Sequence, residues 1–164
     1  MPHSVTNIVV AGLGGQGVLT ASDILAEVVH RAGFDVKKSE IKGMSQRGGS
    51  VTSDVRFGKV VHSPMVPDHE AHFLVVLSPD QVEPNRHHLR PGGVLIAPDL
   101  IDEARLSNRR TLNIALLGAL SVHLDASIPE SVWRDTLKEL LPPKILDVNL
   151  EAFALGRTSA RKAT

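Results

Sequence analysis

The stretch that decides the fold is NIVVAGLGGQGVLTASDIL, residues 7–25. It begins as a continuous apolar run, residues 8–11, which is typical of a strand covered on both faces. Four glycines follow within six positions, and the sequence then takes up the apolar spacing of a helix. This order places backbone N–H groups and the positive end of a helix dipole at one point. The stretch therefore predicts a βα unit whose turn suits a phosphate group.

Further strand patterns follow along the chain and alternate with helical patterns. A second strand is predicted at residues 34–39, and short buried strands at residues 72–78 and 93–98. Residues 50–58, SVTSDVRFG, alternate apolar with polar positions, which predicts a strand with one wetter face near an edge of the sheet. We therefore predict an α/β fold with three layers, in which helices cover both faces of a Rossmann-like, largely parallel sheet that is mixed at an edge.

Helical patterns occupy much of the remaining chain. The first helix is expected to stop at Gly33, a residue suited to a left-handed C-terminal position. NIALLGALSV, residues 113–122, is apolar on nearly every side, which indicates a helix buried between layers or at a subunit interface. Residues 131–141 are amphipathic, with Ser127 predicted to cap their helix. We expect residues 1–156 to form one domain and the basic residues 157–164 to form a disordered tail.

Composition excludes several classes of function. With 18 basic and 18 acidic residues the formal net charge is zero, so no nucleic-acid or membrane partner is expected. The chain has no cysteine, which excludes thiolate-bound zinc, an iron–sulfur cluster held by this chain and a disulfide scaffold. The start MPHSVTN is too short and polar for a signal peptide, and no apolar run reaches the roughly 20 residues of a membrane span. We therefore expect a cytoplasmic protein.

The glycine turn GLGGQG, residues 12–17, matches the GxGxxG pattern of dinucleotide-binding domains, with one extra glycine. Such a site also requires an acid about 20 residues further on, at the end of the second strand, to hold a ribose hydroxyl. Asp35 comes too early in that strand, and Glu40 lies at its end but 23 residues after the last glycine. Binding of NAD stays open on this evidence, as does a purely structural role in close strand–helix packing.

A second loop, KGMSQRGGSV at residues 42–51, follows the second predicted strand. It therefore falls on the same edge of the sheet as the glycine turn, where open α/β sheets bind ligands. Arg47 offers a charged fork for phosphate or carboxylate, and Ser45 and Gln46 offer neutral hydrogen-bonding groups. Gly48 and Gly49 allow a close approach of backbone to a partner. The alternative is a surface loop with a solvated arginine.

The histidines do not form a recognisable metal-binding pattern. His62, His69 and His72 lie in a proline-containing loop without fixed spacing or an accompanying carboxylate motif. His87 and His88 are adjacent, and in a helix adjacent side chains point in different directions, so a shared metal is not expected. We therefore predict no metal site.

Several motifs together resemble the gamma subunit or domain of the 2-oxoacid:ferredoxin oxidoreductases. They are GLGGQG, then SEIKGMSQRGGSVTSDVRFG at residues 39–58, then HSPMVP at residues 62–67. The likeness spans about residues 7–156 and is greatest to the beta subunits of indolepyruvate oxidoreductases. GMSQRGGS is the most specific of these signals, because ordinary dinucleotide-binding domains lack such a segment there.

The resemblance implies a subunit of an enzyme that oxidatively decarboxylates a 2-oxoacid, such as an arylpyruvate, to an acyl-CoA and carbon dioxide. Electrons pass to ferredoxin or another acceptor. The chain alone is then expected to be inactive and to hold no cofactor. Thiamine diphosphate, magnesium and the iron–sulfur clusters belong to a large partner subunit, and coenzyme A lies at the shared interface. Separately, the apolar residues 113–120 and the loop around residues 64–67 are expected to contribute to a partner interface, so the isolated chain should self-associate, most simply as a homodimer.

The resemblance assigns no catalytic residue and no metal ligand to this chain. It implies a set of interface or ligand-lining positions in the two glycine-containing loops: Gly12, Gly14, Gly15, Gln16, Gly17, Met44, Ser45, Gln46, Arg47, Gly48, Gly49 and Ser50. The alternative is a free-standing dinucleotide-binding module or small NAD(P)-dependent dehydrogenase. We favour the subunit, because the chain supplies neither a substrate domain nor a recognisable acid–base pair.

Overall fold

The computed structural model describes residues 4–42 and 49–164. They form a five-stranded sheet in the order β2-β3-β1-β4-β5 and a layer of helices. The strands are β1 (Val5–Leu13), β2 (Asp35–Lys42), β3 (Ser50–Gly58), β4 (Ala71–Val76) and β5 (Leu89–Ile96). The helices are α1 (Val18–Arg31), the single turn α2 (Val82–Asn85), α3 (Leu112–His123), α4 (Glu130–Leu140) and α5 (Pro143–Ala163).

The sheet is mixed, and only one strand is reversed. β1 pairs in parallel with β4, and β4 pairs in parallel with β5. β3 runs antiparallel to both of its neighbours, β1 and β2. Four strands therefore point the same way, which confirms the predicted α/β class with a largely parallel sheet that is mixed toward one edge. β3 lies beside the edge strand β2, as its alternating pattern predicted.

The two faces of the sheet are covered unequally. α1, α3, α4 and α5 enclose the main core on one face, where the largest fully buried side chains include Trp133 and Phe153. On the other face, Leu74 and Val76 pack with Val66 of the β3–β4 loop and with Val82 of α2. The predicted three-layer arrangement is therefore met only in part, because all four long helices lie on one face and the other face is covered by a loop and one helical turn.

α3 is buried by its own chain. Every residue from Asn113 to Ser121 is buried, and α5 crosses α3 at close range. A Cβ atom on Gly118 would lie 2.1 Å from the carbonyl oxygen of Phe153, so the two backbones nearly touch at this point. Of the two sequence-based alternatives for this helix, burial between layers is confirmed, and a partner interface formed by α3 is wrong because α5 already covers it.

The end of the chain differs from the sequence-based prediction. Residues 157–163 are not a disordered tail but the last turns of α5, which begins at Pro143. Arg157 and Ala160 lie on the same buried stripe as Phe153 and Gly156, at the i, i+3, i+4, i+7 spacing of a helix face. The sequence pattern did not predict this buried stripe, because small polar residues lie between its positions.

The start of α4 is a second correction. Its N-cap is Pro129 rather than Ser127, and no side chain caps it. Ser127 lies two residues earlier, where its backbone N–H donates to the carbonyl oxygen of Leu124.

None of the helices in the described part of the chain is long and apolar enough to cross a bilayer.

Candidate functional site

The glycine turn between β1 and α1 has a defined geometry. Gly15 and Gly17 have positive φ angles of 87° and 86°, a left-handed conformation that favours glycine. Gln16 folds back so that its side-chain oxygen accepts a hydrogen bond of 2.7 Å from the backbone N–H of Leu13. Gly12 has no room for a side chain, because a Cβ there would lie 2.9 Å from both Gln16 Oε1 and Val18 Cγ2. The turn is thus built from its own residues before any ligand binds.

Asn113, at the start of α3, links α3 to this turn. Its side-chain amide donates to the carbonyl oxygen of Gly17 at 3.3 Å, and its Oδ1 accepts from the backbone N–H of Ile114 at 2.9 Å. A Cβ atom on Gly17 would lie only 2.5 Å from Asn113 Nδ2. The N-termini of α1 and α3 are therefore held next to each other through one buried side chain.

This contact predicts a difference between two matched glycine variants. Gly15→Ala and Gly17→Ala each force alanine into the left-handed region, at a cost of roughly 1–2 kcal/mol. Gly15 has open space around its missing side chain, whereas Gly17 faces Asn113. We expect Gly17→Ala to lose about a further 1–2 kcal/mol by overpacking. Urea unfolding of both variants measures the difference, and equal losses would show that the Asn113 contact does not constrain the turn.

A cavity opens beside the turn. It has a volume of about 490 Å³ and lies between the turn, the chain that follows β4, and the start of α3. Its lining residues are Gly15, Gln16, Gly17, Leu77, Arg109, Arg110, Leu112 and Asn113. Three of the predicted ligand-lining residues, Gly15, Gln16 and Gly17, therefore face one cavity, and Gly12 and Gly14 do not line it.

The electrostatics of the cavity favour an anion. Arg109 and Arg110 are exposed at its wall, and neither side chain forms an ion pair with a carboxylate of residues 4–42 or 49–164. The first turns of α1 and α3 contain no acidic residue, so no carboxylate there offsets the positive ends of the two helix dipoles. Two guanidinium groups and two helix N-termini thus converge on a space of ligand size.

Sequence reasoning missed Arg109 and Arg110. The available signal was a basic pair placed directly before the strongly apolar stretch at residues 113–120. Such a pair is a common surface feature, and nothing in the linear sequence brings it to the glycine turn, which lies more than 90 positions earlier. Its location depends on how α3 packs against α1.

The second predicted loop reaches the same edge of the sheet. Ser50 pairs with Leu13 at the end of β1, and the backbone N–H of Gly14 donates to the carbonyl oxygen of Gly49 at 2.9 Å. Ser50 Oγ lies 3.1 Å from Gln81 Oε1, within hydrogen-bonding distance. The predicted positions Met44, Ser45, Gln46, Arg47 and Gly48 lie outside the described residues. Gly14 contributes a contact between the two loops, and its N–H group is already used.

The acid required for a dinucleotide site is not at the cavity. Asp35 accepts a hydrogen bond of 2.8 Å from the backbone N–H of Val61, and Glu40 is paired with Lys38. Both acids belong to β2, and β3 separates β2 from β1. Two strand spacings amount to about 10 Å, so neither acid takes the place that the ribose-binding acid has beside the glycine turn.

No described residue lining the cavity is a carboxylate or an imidazole. The cavity therefore offers hydrogen-bond donors and positive charge but no group suited to proton transfer near neutral pH. Asp54 of β3 is a buried acid whose carboxylate accepts a hydrogen bond of 2.9 Å from the backbone N–H of Val66, and burial raises the pKa of its carboxyl group. It supports the β3–β4 loop and does not line the cavity.

The histidines differ in part from their sequence-based description. His72 Nδ1 accepts a hydrogen bond of 3.0 Å from the backbone N–H of Asn7, which is a structural role, and His62 and His69 are exposed. His87 and His88 do not point apart. Their ring centroids are 4.1 Å apart, because they lie in a short 3-10 turn just before β5 rather than in a regular helix.

Comparison with known proteins gives a consistent family. A family model described as pyruvate ferredoxin/flavodoxin oxidoreductase matches residues 7–102. The indolepyruvate oxidoreductase subunit IorB of Thermococcus kodakarensis is 34% identical, over 95% of this chain and 96% of that protein. The match therefore runs through both glycine-containing loops and on to α5.

Solved structures show the same fold. The gamma subunit of a keto/oxoacid ferredoxin oxidoreductase from Geobacter sulfurreducens is 23% identical, with a TM-score of 0.80 and 98% of both chains covered. The 2-oxoglutarate:ferredoxin oxidoreductase from Magnetococcus marinus, whose structure holds 2-oxoglutarate, coenzyme A and succinyl-CoA, is 22% identical with a TM-score of 0.78. This chain corresponds to 32% of that longer chain.

Proposed function

The chain belongs to the pyruvate ferredoxin/flavodoxin oxidoreductase family, and from this we propose that it is the small subunit of an indolepyruvate oxidoreductase complex. The proposed reaction breaks the bond between the carbonyl and carboxylate carbons of an arylpyruvate and releases carbon dioxide. A thioester forms with coenzyme A, whose thiol loses its proton to solvent, and two electrons pass to ferredoxin or another acceptor. The choice of arylpyruvate rests on the relative with 34% identity along nearly its whole length.

We propose that this chain contributes the coenzyme A side of a shared site. The observation that carries the proposal is the cavity beside the glycine turn, where Arg109 and Arg110 stand near two helix N-termini without acidic neighbours in the first turns. Coenzyme A carries a diphosphate and a 3′-phosphate, and guanidinium groups and helix N-termini are the protein groups that bind phosphates best. Arg47 of the second loop stays a predicted third contact.

The remaining chemistry is assigned to a large partner subunit. Thiamine diphosphate, held there with magnesium, supplies the carbanion chemistry of such a reaction, and iron–sulfur clusters carry the electrons. This chain has no cysteine to ligate a cluster, and no acid or imidazole is found among the described residues that line its cavity. Its proposed part is to bind and orient the acyl acceptor. Alone it is expected to be inactive.

The test is a kinetic measurement on the complex reconstituted with its large subunit. We expect the double variant Arg109→Ala/Arg110→Ala to raise the apparent KM for coenzyme A at least about tenfold, since one charged hydrogen bond is worth roughly 1.5–3 kcal/mol. The KM for the 2-oxoacid should stay unchanged, because the arginines act on the acyl acceptor. The assay is 2-oxoacid-dependent dye reduction with coenzyme A varied, using indolepyruvate and, for comparison, pyruvate.

Arg105→Ala is the matched control, because Arg105 is an exposed arginine nearby in sequence that does not line the cavity. Arg47→Ala, measured in the same series, tests the second loop. A coenzyme A dependence that is the same in all variants would exclude both the cavity and the second loop as the acyl-acceptor site. An assay that favours pyruvate over indolepyruvate would remove the arylpyruvate assignment and leave the coenzyme A result to stand separately.

Only the glycine turn favours the alternative of a dinucleotide-binding module. The separation of β2 from β1 leaves the ribose without its usual acid. Calorimetric titration of the isolated chain with NAD is therefore expected to give no binding tighter than about the millimolar range. Micromolar affinity for NAD would support the dehydrogenase alternative instead.

A further inference from the structure

Two histidines and an aspartate come together where β4 and β5 begin, at the opposite ends of the strands from the cavity. Asp68 lies in the loop that leads into β4, and His87 and His88 directly precede β5. Because β4 and β5 are parallel and Ala71 pairs with Leu89, both segments enter the sheet side by side. The cavity, in contrast, is reached by Leu77 at the far end of β4.

Backbone contacts hold the two segments together. The backbone N–H of His69 donates to the carbonyl oxygen of His87 at 3.0 Å, which ties the loop before β4 to the turn before β5. His69 itself has a φ of 64°, the left-handed conformation that non-glycine residues adopt only at some cost. The loop thus turns sharply at His69, directly after Asp68.

The side chains present a set of metal-ligating atoms. Each of the three residues offers one nitrogen or oxygen atom, and these atoms all lie within 4.8 Å of one another. His87 Nε2 is 3.9 Å from Asp68 Oδ1, too far for a hydrogen bond but suited to sharing an ion. A tetrahedral zinc ion with ligands at about 2.0–2.2 Å holds neighbouring ligand atoms roughly 3.4 Å apart, so small rotations suffice.

One of these imidazoles has an unmet hydrogen-bonding requirement. His88 Nδ1 is buried and has no hydrogen-bond partner within the described part of the chain. Buried polar atoms without a partner are rare in folded proteins, and each one is costly. His88 therefore has a nitrogen whose hydrogen-bonding requirement the described residues do not meet.

We propose that Asp68, His87 and His88 bind one zinc ion. Imidazole nitrogen with one carboxylate is a ligand set that suits zinc, whereas calcium and magnesium take oxygen ligands. Three protein ligands leave a fourth position for water. The ion would pin the loop before β4 to the start of β5, and this role is independent of the proposed coenzyme A site.

Calorimetry on the untagged chain tests the proposal. Titration with zinc chloride is expected to show saturable binding of one ion per chain, and magnesium chloride is expected to show none. Asp68→Asn and His87→Ala change exposed side chains and should not disturb folding. Each is expected to weaken zinc binding at least about tenfold, the loss typical even of outer-shell changes. His88→Ala should do the same.

His30→Ala is the matched control, because His30 is an exposed histidine on α1 outside the cluster. It should bind zinc like the natural chain. Zinc should also raise the unfolding temperature of the natural chain and of His30→Ala but not that of Asp68→Asn. The proposal is overturned if the natural chain shows no saturable zinc binding, or if the cluster variants bind zinc as tightly as His30→Ala.

Discussion

Replacing Gly156 by alanine is expected to lower the free energy of unfolding by about 3 kcal/mol, at the upper end of overpacking effects. A Cβ atom at this position would lie 1.7 Å from the carbonyl oxygen of Ala115 and 2.7 Å from its carbonyl carbon. The obstacle is backbone, so no side-chain rotation relieves it, and α5 must move away from α3. The better helix propensity of alanine is worth only about 1 kcal/mol. The clash is larger, so the net change in the free energy of unfolding is a loss.

The measurement is urea unfolding followed by circular dichroism. Thr158→Ala is the matched control, because Thr158 is exposed on the same helix and gains similar helix propensity. We expect Thr158→Ala to be neutral or slightly stabilising. A Gly156→Ala variant as stable as the natural chain would mean that the backbones of α3 and α5 leave room for a Cβ atom at this position. Failure of the variant to fold would agree with the prediction.

The second large effect is expected at Arg157, the buried cation of the C-terminal helix. Its guanidinium pairs with Asp125 at 3.0 Å and with Glu130 at 2.6 Å, and it also donates to Ser121 Oγ at 2.8 Å. Its side chain is 6% exposed, whereas those of Asp125 and Glu130 are 38% and 42% exposed. We expect Arg157→Ala to cost about 2–3 kcal/mol, below the value for a fully buried pair because water can solvate the remaining carboxylates.

This loss should depend on pH. Hydrogen bonding to Arg157 lowers the pKa of the Asp125 carboxyl group below its ordinary value of 3.8. A carboxyl group with a lowered pKa stabilises the folded state above its unfolded pKa, and this contribution is lost as the pH falls through the folded value. The stability difference between the natural chain and Arg157→Ala is therefore expected to be constant near neutral pH and to shrink below about pH 4.

Arg161→Ala provides the control for charge alone. Arg161 lies 3.5 Å from the same Asp125 carboxylate, but its side chain is 62% exposed, so its loss should cost under about 0.5 kcal/mol. Urea unfolding at a series of pH values measures all three proteins. Equal losses for the two arginine variants would show that burial of Arg157 does not contribute to stability. A stability difference that does not change with pH would show that the pairing of Arg157 with Asp125 does not cause it.

Local patterns in the sequence determined the elements and the family. The stretch at residues 7–25 predicted a buried strand, a glycine turn and a helix, and the structure has β1, that turn and α1 there. These predictions succeed because strand and helix periodicity and the conformational freedom of glycine act over a few residues. The apolar stretch at residues 113–122 likewise predicted the buried helix α3 for the same reason.

Only the tertiary structure decided which elements become neighbours. The insertion of β3 between β1 and β2 removes the ribose-binding acid that the glycine turn alone would suggest. The packing of α3 brings Arg109 and Arg110 to that turn, and the pairing of Arg157 with Asp125 extends α5 through residues that read as a tail. Each of these depends on contacts between residues far apart in the chain, and local sequence patterns do not encode which distant partner a strand or a charged side chain will meet.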